Sequence, residues 1–432
     1  MVLKGMKWYN ALQFIVLCLT VALVAVDWGI GLWVTVTFAV VTLVKIIAEK
    51  RVGNPSLDTP MRVALLAVVA YWLSIVASML YSTDLSGATD VVFRKAVMLV
   101  APLCVLLSDM SYISRNHLRA VFYALLLAVG GLFVYDWITD TFEDKNHSYV
   151  AMYILTVTPF VYKELADGRK SMPLWRRLVL YVAAVMTVVF IIYIDSRAGI
   201  LCLYGLEVIC GVHFALKSRW WKGALLALML VGLTYTAEKN LPNHTSRLTM
   251  SPVVVPESAD EGNASDAADG GDTVQAPLYG KYYDARMAIN VTALKTIADS
   301  PVFGYGVGDY DTVLIDRYGT EGYQSLKEQH INAHNQYTET ALATGIVGLL
   351  VMLWWLVMPL LVAWRRRAAF WEVLTLTFIV MFSLLFESIL ERQMGMQFVA
   401  LLYALMLLAV HVARQPMNTE NRTQSCRCEA SR

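Results

Sequence analysis

Two histidines stand close together where a long polar segment meets an apolar one, in His330-Ile-Asn-Ala-His334-Asn335-Gln-Tyr337. Histidine titrates near neutral pH, so either ring could take a proton from a hydroxyl group. The two histidines are four residues apart and would share one face of a helix. This spacing also permits a metal pair, but the segment lacks the glutamate of the zinc-binding pattern His-Glu-x-x-His. We therefore expect an acid–base site, with no metal and no other cofactor.

Two arginines are the next candidates. Arg197 lies in Asp195-Ser196-Arg197-Ala-Gly199, a short connection between two apolar runs. A charge at a membrane edge is a functional candidate, although an arginine there can also extend to lipid head groups. Arg286 begins a segment with helical spacing, where a solvated helix face is the alternative interpretation. Guanidinium groups are the preferred partners of phosphate oxygens, so both arginines could bind an anionic substrate.

Three other polar features lie near these residues. The turn Pro301-Val-Phe-Gly304-Tyr-Gly306-Val-Gly308 lacks the Gly-Lys-Ser/Thr ending of a nucleotide-binding loop, and it could simply end a helix. Glu391 and Arg392 follow a late apolar run, where an Arg–Glu pair could be structural. The candidate accessory residues of the site are His330, Asn335, Tyr337, Glu391 and Arg392.

The elements that must position these residues are membrane helices. The 432 residues are 57% hydrophobic and 16% charged, whereas soluble proteins carry about 25% charged residues. A bilayer core needs about 20 apolar residues per helix. Apolar runs predict an all-α polytopic membrane protein with about twelve transmembrane helices, near residues 9–26, 29–48, 62–80, 92–108, 118–136, 148–163, 176–194, 198–216, 220–236, 338–363, 369–386 and 393–412.

Charge placement predicts the orientation of these helices. If the N-terminus is cytoplasmic, most of the 35 lysines and arginines fall on inner segments, as the positive-inside rule requires. Residues 1–236 would then form helices 1–9, residues 237–337 an outer loop, residues 338–413 helices 10–12, and residues 414–432 a cytoplasmic tail. Within the loop, residues 251–278 carry six acidic and no basic residues, which favours a flexible insertion.

The order and spacing of these motifs resemble a known family. Ser196-Arg197-Ala-Gly199-Ile-Leu201, then Arg286, then Ala298-Asp299-Ser-Pro301-Val-Phe303-Gly304-Tyr-Gly306, then His334-Asn335-Gln-Tyr337 and Gly345-Ile-Val-Gly348 are similar to the O-antigen ligase/polymerase superfamily of bacterial envelope glycosyltransferases. The similarity covers about residues 190–400, while the N-terminal third matches only in hydropathy. The acidic insertion 251–278 is not part of the family pattern.

The resemblance implies a function and a set of roles. It implies an inner-membrane enzyme whose active site faces the periplasm and whose donor is a glycan on undecaprenyl diphosphate. The acceptor would be lipid A–core, and transfer would be inverting and metal-independent. Arg197 and Arg286 would hold the donor diphosphate, and His334 would remove the proton of the acceptor hydroxyl. The other expected partners are membrane lipids, and no nucleic acid is expected.

Other functions stay open at this stage. A repeat-unit polymerase and a protein O-oligosaccharyltransferase would use the same donor with a different acceptor. A transporter or flippase is a separate class, in which ionisable residues lie at mid-membrane on broken helices. The helix interiors here are nearly uncharged and the polar cluster lies on one side. We therefore favour an O-antigen ligase over a transporter.

Overall fold

The computed structural model describes residues 6–26, 28–139, 147–167, 172–194, 196–217, 220–240 and 285–414. Within these residues the secondary structure is helical, without strands. The helices are α1 Trp8–Val24, α2 Trp28–Glu49, α3 Thr59–Ser78, α4 Leu85–Lys95, α5 Val100–Leu107, α6 Arg115–Thr139, α7 His147–Asp167, α8 Leu174–Tyr193, α9 Arg197–Lys217, α10 Trp220–Asn240, α11 Ala285–Asp299, α12 Tyr310–Thr320, α13 Gln324–Glu328, α14 Gln336–Arg366, α15 Phe370–Ser383 and α16 Gln393–Arg414.

The described helices agree with a polytopic membrane protein. Seven of them are long and apolar enough to cross a bilayer, and three shorter helices are also apolar. Ten of the predicted spans each coincide with one helix, and the span 338–363 lies on α14, which is broken at Gly345. The count of twelve crossings stays a prediction. The predicted insertion 251–278 and the tail after Arg414 lie outside the described residues.

The prediction of one continuous helix at residues 92–108 is wrong. The chain there forms α4, a 3₁₀ turn at Ala96–Leu99, and the eight-residue α5. Pro102 lies in the first turn of α5. Because proline has no N–H and its ring clashes with the carbonyl four residues earlier, a continuous helix through Met98 is disfavoured. The break leaves Lys95 at the end of α4, directed into the protein and buried.

Helix α14 is also broken, at Gly345, where φ is 64° and ψ is −168°. The glycine-rich turn replaces the helical hydrogen bonds that are lost there. Tyr305 and Gly306 donate their N–H groups to the carbonyls of Leu342 and Ala343 at 2.8 and 3.0 Å, and Ile346 donates to Pro301 at 2.9 Å. Backbone groups inside a membrane protein must be satisfied internally, so the turn and the break are one structural unit.

That unit also joins the segment between α11 and α12 to the N-terminal helices. The hydroxyl of Tyr81 donates to the Phe303 carbonyl at 2.6 Å. The Asp309 carboxylate accepts from the N–H groups of Thr83 and Asp84 at 2.6 and 3.0 Å. The glycine-rich turn is therefore a packing element, and the expectation that it simply ends a helix was incomplete.

The opposite end of the bundle is joined by ion pairs. Asp58 contacts Arg366 at 2.5 Å and Arg414 at 2.9 Å, which links the starts and ends of three helices. Glu164 contacts Arg119 and Arg176, each at 2.6 Å. Helix α16 runs through the centre, with 83% of its most apolar window buried, against 28–39% for the other long helices. The segment just before α16 therefore enters directly into the most buried of the long helices.

Candidate functional site

His334 lies immediately before α14. Asn335 caps that helix, because its side-chain oxygen accepts from the N–H groups of Tyr337 at 2.9 Å and Thr338 at 3.4 Å. Both His330 and His334 have positive φ values, 50° and 45°, which few non-glycine residues adopt. The chain between them is not helical, so the condition for a shared helix face is not met. The cap and the turn present His334 at the start of α14.

The imidazole of His334 faces a buried carboxylate. Its Nδ1 lies 3.3 Å from Oε1 of Glu387, and their side chains are 27% and 9% exposed. If Nδ1 carries the proton and donates a hydrogen bond to Glu387, Nε2 keeps a lone pair that can accept a proton. This is the arrangement that a general base requires, since the carboxylate also stabilises the imidazolium formed after proton transfer.

Glu339 connects the two segments that carry this pair. Its Oε1 accepts from the N–H of Ala333 at 2.9 Å and from the hydroxyl of Ser388 at 3.1 Å. Ala333 precedes His334, and Ser388 follows Glu387. One buried carboxylate oxygen therefore fixes the spacing of both members of the His–Glu pair.

Glu391 is the centre of a second network, beside the first. It pairs with Lys95 at 2.6 Å and accepts from the side chains of Gln336 at 2.9 Å and Tyr310 at 3.4 Å. The ion pair of this loop therefore joins Glu391 to Lys95, and not to Arg392, which is exposed. The Gln336 side chain also accepts from the Leu390 N–H at 2.6 Å, so it holds the loop in place.

The charge of Glu391 is stabilised by this network. Burial opposes ionisation, but the charge and hydrogen bond of Lys95 and the bonds from Gln336 and Tyr310 outweigh it, so the carboxyl pKa lies below its ordinary 4.5. A lowered folded-state pKa contributes stability above that ordinary value, and the contribution is lost as the pH falls through the folded-state pKa. Near neutral pH the Glu391 side chain is therefore a fixed carboxylate.

Arg197 begins α9 at the same end of the bundle. Ser196 caps this helix by accepting from the Gly199 N–H at 3.1 Å. A Cβ at Gly199 would lie 2.8 Å from Ala151 on α7, which shows how closely the two helices approach. The same turn of α7 carries Tyr149, whose hydroxyl donates to the Ser388 carbonyl at 3.3 Å. Arg197, which is exposed, thus starts a helix that packs near the Glu387–Glu391 loop.

Arg286 is placed differently. It is the second residue of α11 and is exposed. The hydrogen bonds that join α11 toward the site run through its other end, where Tyr305 donates to the Thr296 carbonyl at 3.0 Å. The structure thus brings His334, Glu387, Gln336 and Glu391 together and places the two arginines at the starts of separate helices.

Several site residues were not singled out by the sequence. Lys95 and Tyr310 were not among the sequence candidates, because their partner Glu391 lies far along the chain. Gln336 and Glu339 are polar residues three apart at the start of a long apolar run, which indicates an inward-facing polar stripe. Glu387 was visible only as an acidic residue near Glu391. Two of the accessory candidates, Asn335 and Tyr337, have structural contacts, since Tyr337 donates its hydroxyl to the Met381 carbonyl at 2.8 Å.

The site lies within and next to a recognised segment. Residues 182–353 match the family model described as O-antigen ligase. This match supports the resemblance to the O-antigen ligase/polymerase superfamily. The matched segment contains Arg197, Arg286 and His334, and it ends inside α14, before Glu387 and Glu391. A comparison with curated proteins returns no match. The family match supports glycosyl transfer at a membrane, of the O-antigen ligase/polymerase type.

Proposed function

We propose that this protein transfers an O-antigen glycan from undecaprenyl diphosphate to lipid A–core at the periplasmic face of the bacterial inner membrane. The observation that carries the proposal is the His334–Glu387 pair, at 3.3 Å, in a chain of the O-antigen ligase/polymerase superfamily. A histidine supported by a buried carboxylate can activate a hydroxyl group, which is what an acceptor sugar offers.

In the proposed reaction the acceptor oxygen attacks the anomeric carbon of the donor sugar. Nε2 of His334 takes the hydroxyl proton, and Glu387 stabilises the resulting imidazolium. The bond between the anomeric carbon and the diphosphate oxygen breaks on the opposite side, which inverts the anomeric configuration. The leaving diphosphate gains charge in the transition state, and Arg197 and Arg286 stabilise that charge.

Two related functions use the same chemistry. A repeat-unit polymerase would present a growing glycan as acceptor, and a protein O-oligosaccharyltransferase would present a serine or threonine. A gene deletion in the native host, followed by glycolipid analysis, separates the three. Long glycans left on undecaprenyl diphosphate with bare lipid A–core support the ligase. Lipid A–core capped by one repeat unit supports the polymerase, and unchanged lipopolysaccharide supports another acceptor.

One observation favours a transporter as the second candidate. Helix α14 is broken at Gly345, and the buried Glu339 lies on its shorter half. Broken helices with ionisable residues are typical of secondary transporters. Uptake of a lipid-linked glycan into vesicles by a His334→Ala variant, without transfer, would support that reading; transfer that depends on His334 supports the enzyme.

The residue roles are tested by purified variants in the transfer assay. We expect His334→Ala to lower the rate by about 10²–10⁴-fold, since that is the contribution of a general base, while donor binding is unchanged. We expect Arg197→Ala and Arg286→Ala to weaken binding of the diphosphate donor. Near-normal transfer by the histidine variant would show that His334 is not the base. Unchanged donor affinity in both arginine variants would show that Arg197 and Arg286 do not bind the donor diphosphate.

A further inference from the structure

A polar cleft of about 370 Å³ lies on the outer segment, between α12, α13 and the turn that follows them. This volume is at the lower end of the range of small-ligand pockets, about 300–1,000 Å³. The side chains that give the cleft its chemistry are Asp311, Asp316, Gln324, Lys327, Glu328 and His330. A polar lining of this kind suits a hydroxyl-rich ligand better than a lipid chain.

The cleft adjoins the proposed base through two connections. His330 lines it, and the chain reaches His334 after only three more residues. Asp311 also lines it and follows Tyr310, whose hydroxyl lies 3.4 Å from Glu391. In an inverting transfer the base and the attacking hydroxyl lie on one side of the reacting carbon, and the leaving diphosphate lies on the other. A cleft on the side of the base is therefore on the acceptor side.

The charge of the cleft restricts what it can hold. Three of the named side chains are carboxylates, and the one lysine among them, Lys327, lies 3.1 Å from Asp316 and is thereby neutralised. Glu328 accepts from the Gln324 amide at 3.1 Å. Ionised carboxylates accept hydrogen bonds but donate none. Hydroxyl groups can donate to them, whereas ionised phosphates cannot and are repelled.

Asp311 shows why the cleft should bind hydroxyl groups rather than phosphates. Burial raises the pKa of its carboxyl, the charge of Glu391 raises it further, and His330 opposes both. A ligand that donates hydroxyl hydrogens would stabilise this carboxylate, and a second anion would destabilise it further.

We propose that this cleft is the subsite for an unphosphorylated sugar of the acceptor glycan, held through its hydroxyl groups by Asp311, Glu328 and His330. The proposal rests on the proposed transferase function and adds the chemistry of the acceptor. The phosphate groups of lipid A–core, and the donor diphosphate, bind elsewhere. The sugar that receives the new bond is then one whose own ring and immediate neighbour lack phosphate.

Direct binding tests the subsite without requiring catalysis. The probe is core oligosaccharide released from lipopolysaccharide, used with and without phosphatase treatment, on the full-length protein in lipid nanodiscs. We expect the dephosphorylated oligosaccharide to bind at least as tightly as the phosphorylated one. We expect Asp311→Asn combined with Glu328→Gln to weaken binding about tenfold or more, because each substitution removes a charged acceptor. Asp90→Asn, an exposed acidic residue on α4 outside the cleft, is the matched control.

Kinetics then assign the subsite to the acceptor. The double variant should raise the KM for the acceptor while the KM for the donor and kcat stay within a few-fold of the parent. Thermal midpoints of the isosteric variants establish that they are folded.

Two binding results would overturn the proposal: the double variant binds the oligosaccharide as tightly as the parent, or the parent binds only the phosphorylated oligosaccharide. Two comparisons would also overturn it: the double variant raises the KM of the donor and not of the acceptor, or Asp90→Asn weakens binding equally. A parent protein that binds the dephosphorylated oligosaccharide through Asp311 but transfers no glycan would defeat the proposed function and leave the sugar site standing.

Discussion

The chemistry assigned to His334 depends on a carboxylate 53 residues further along the chain. A histidine in a turn with positive φ is held in a sparsely populated conformation, which persists only when its surroundings fix it. Glu339 supplies part of that restraint by bonding to the residue before His334 and the residue after Glu387. It is therefore a positioning residue, which acts through the His–Glu pair.

This role predicts a contrast between two Glu339 variants. Glu339→Gln keeps an oxygen that can accept from Ala333 and Ser388, so we expect activity within a few-fold of the parent. Glu339→Leu keeps the volume but loses both bonds, and we expect kcat to fall on the order of 10²-fold, since small misplacements of a catalytic group can have that effect. Steady-state kinetics should show the donor KM unchanged. Equal kcat in the two variants, with equal thermal midpoints, would show that the bridge has no effect on catalysis.

At the scale of elements, the break in α14 contacts the glycine-rich turn between α11 and α12. Gly345 and Gly304 face each other so closely that a Cβ at Gly345 would lie 2.1 Å from the Val302 carbonyl oxygen, and one at Gly304 would lie 2.4 Å from that of Leu342. Both residues also have positive φ, which favours glycine. The tight contact explains why this part of the chain is rich in glycine.

Gly345→Ala should therefore destabilise the protein. We expect a loss of about 2 kcal/mol or more, because the substitution combines a strained backbone conformation with a steric clash. Gly232→Ala is the control, since a Cβ at that position in α10 meets open space and alanine favours a helix. The measurement is the thermal unfolding midpoint in detergent. Two equal midpoints would mean that the turn can move away from α14.

For the whole molecule, the ends of the bundle differ in character. The end with Asp58, Arg366 and Arg414 is held by ion pairs, and the other end carries His334 and the polar cleft. The positive-inside rule predicts that the first end is cytoplasmic. This orientation is a prediction from the sequence.

Cysteine labelling of cells tests the orientation. Ser325 on α13 and Ser111 between α5 and α6 are exposed at opposite ends. In a background with Cys426 and Cys428 replaced by serine, Ser325→Cys should react with a membrane-impermeant maleimide in spheroplasts. Ser111→Cys should react only after the membrane is opened. The reverse pattern would place the proposed active site in the cytoplasm, where a periplasmic transfer could not occur.

The sequence alone indicated the class of fold, the resemblance to the superfamily, and the candidates Arg197, Arg286 and His334. Apolar runs of bilayer length and motifs of fixed local spacing are properties of neighbouring residues, so they can be read directly from the chain. For the same reason the sequence predicted ten of the spans as single helices but missed the breaks near Pro102 and at Gly345.

Only the tertiary structure decided which distant residues form ion pairs and hydrogen bonds with each other. Lys95 and Glu391 are 296 residues apart, and Glu339 meets Ser388 across 49 residues. The turn at Gly304 and the break at Gly345 satisfy each other's backbone groups only when α11 and α14 are packed together. Such pairings depend on how the helices pack. Burying a charge or an unpaired backbone group raises the free energy of the folded state unless a partner from a distant segment compensates it.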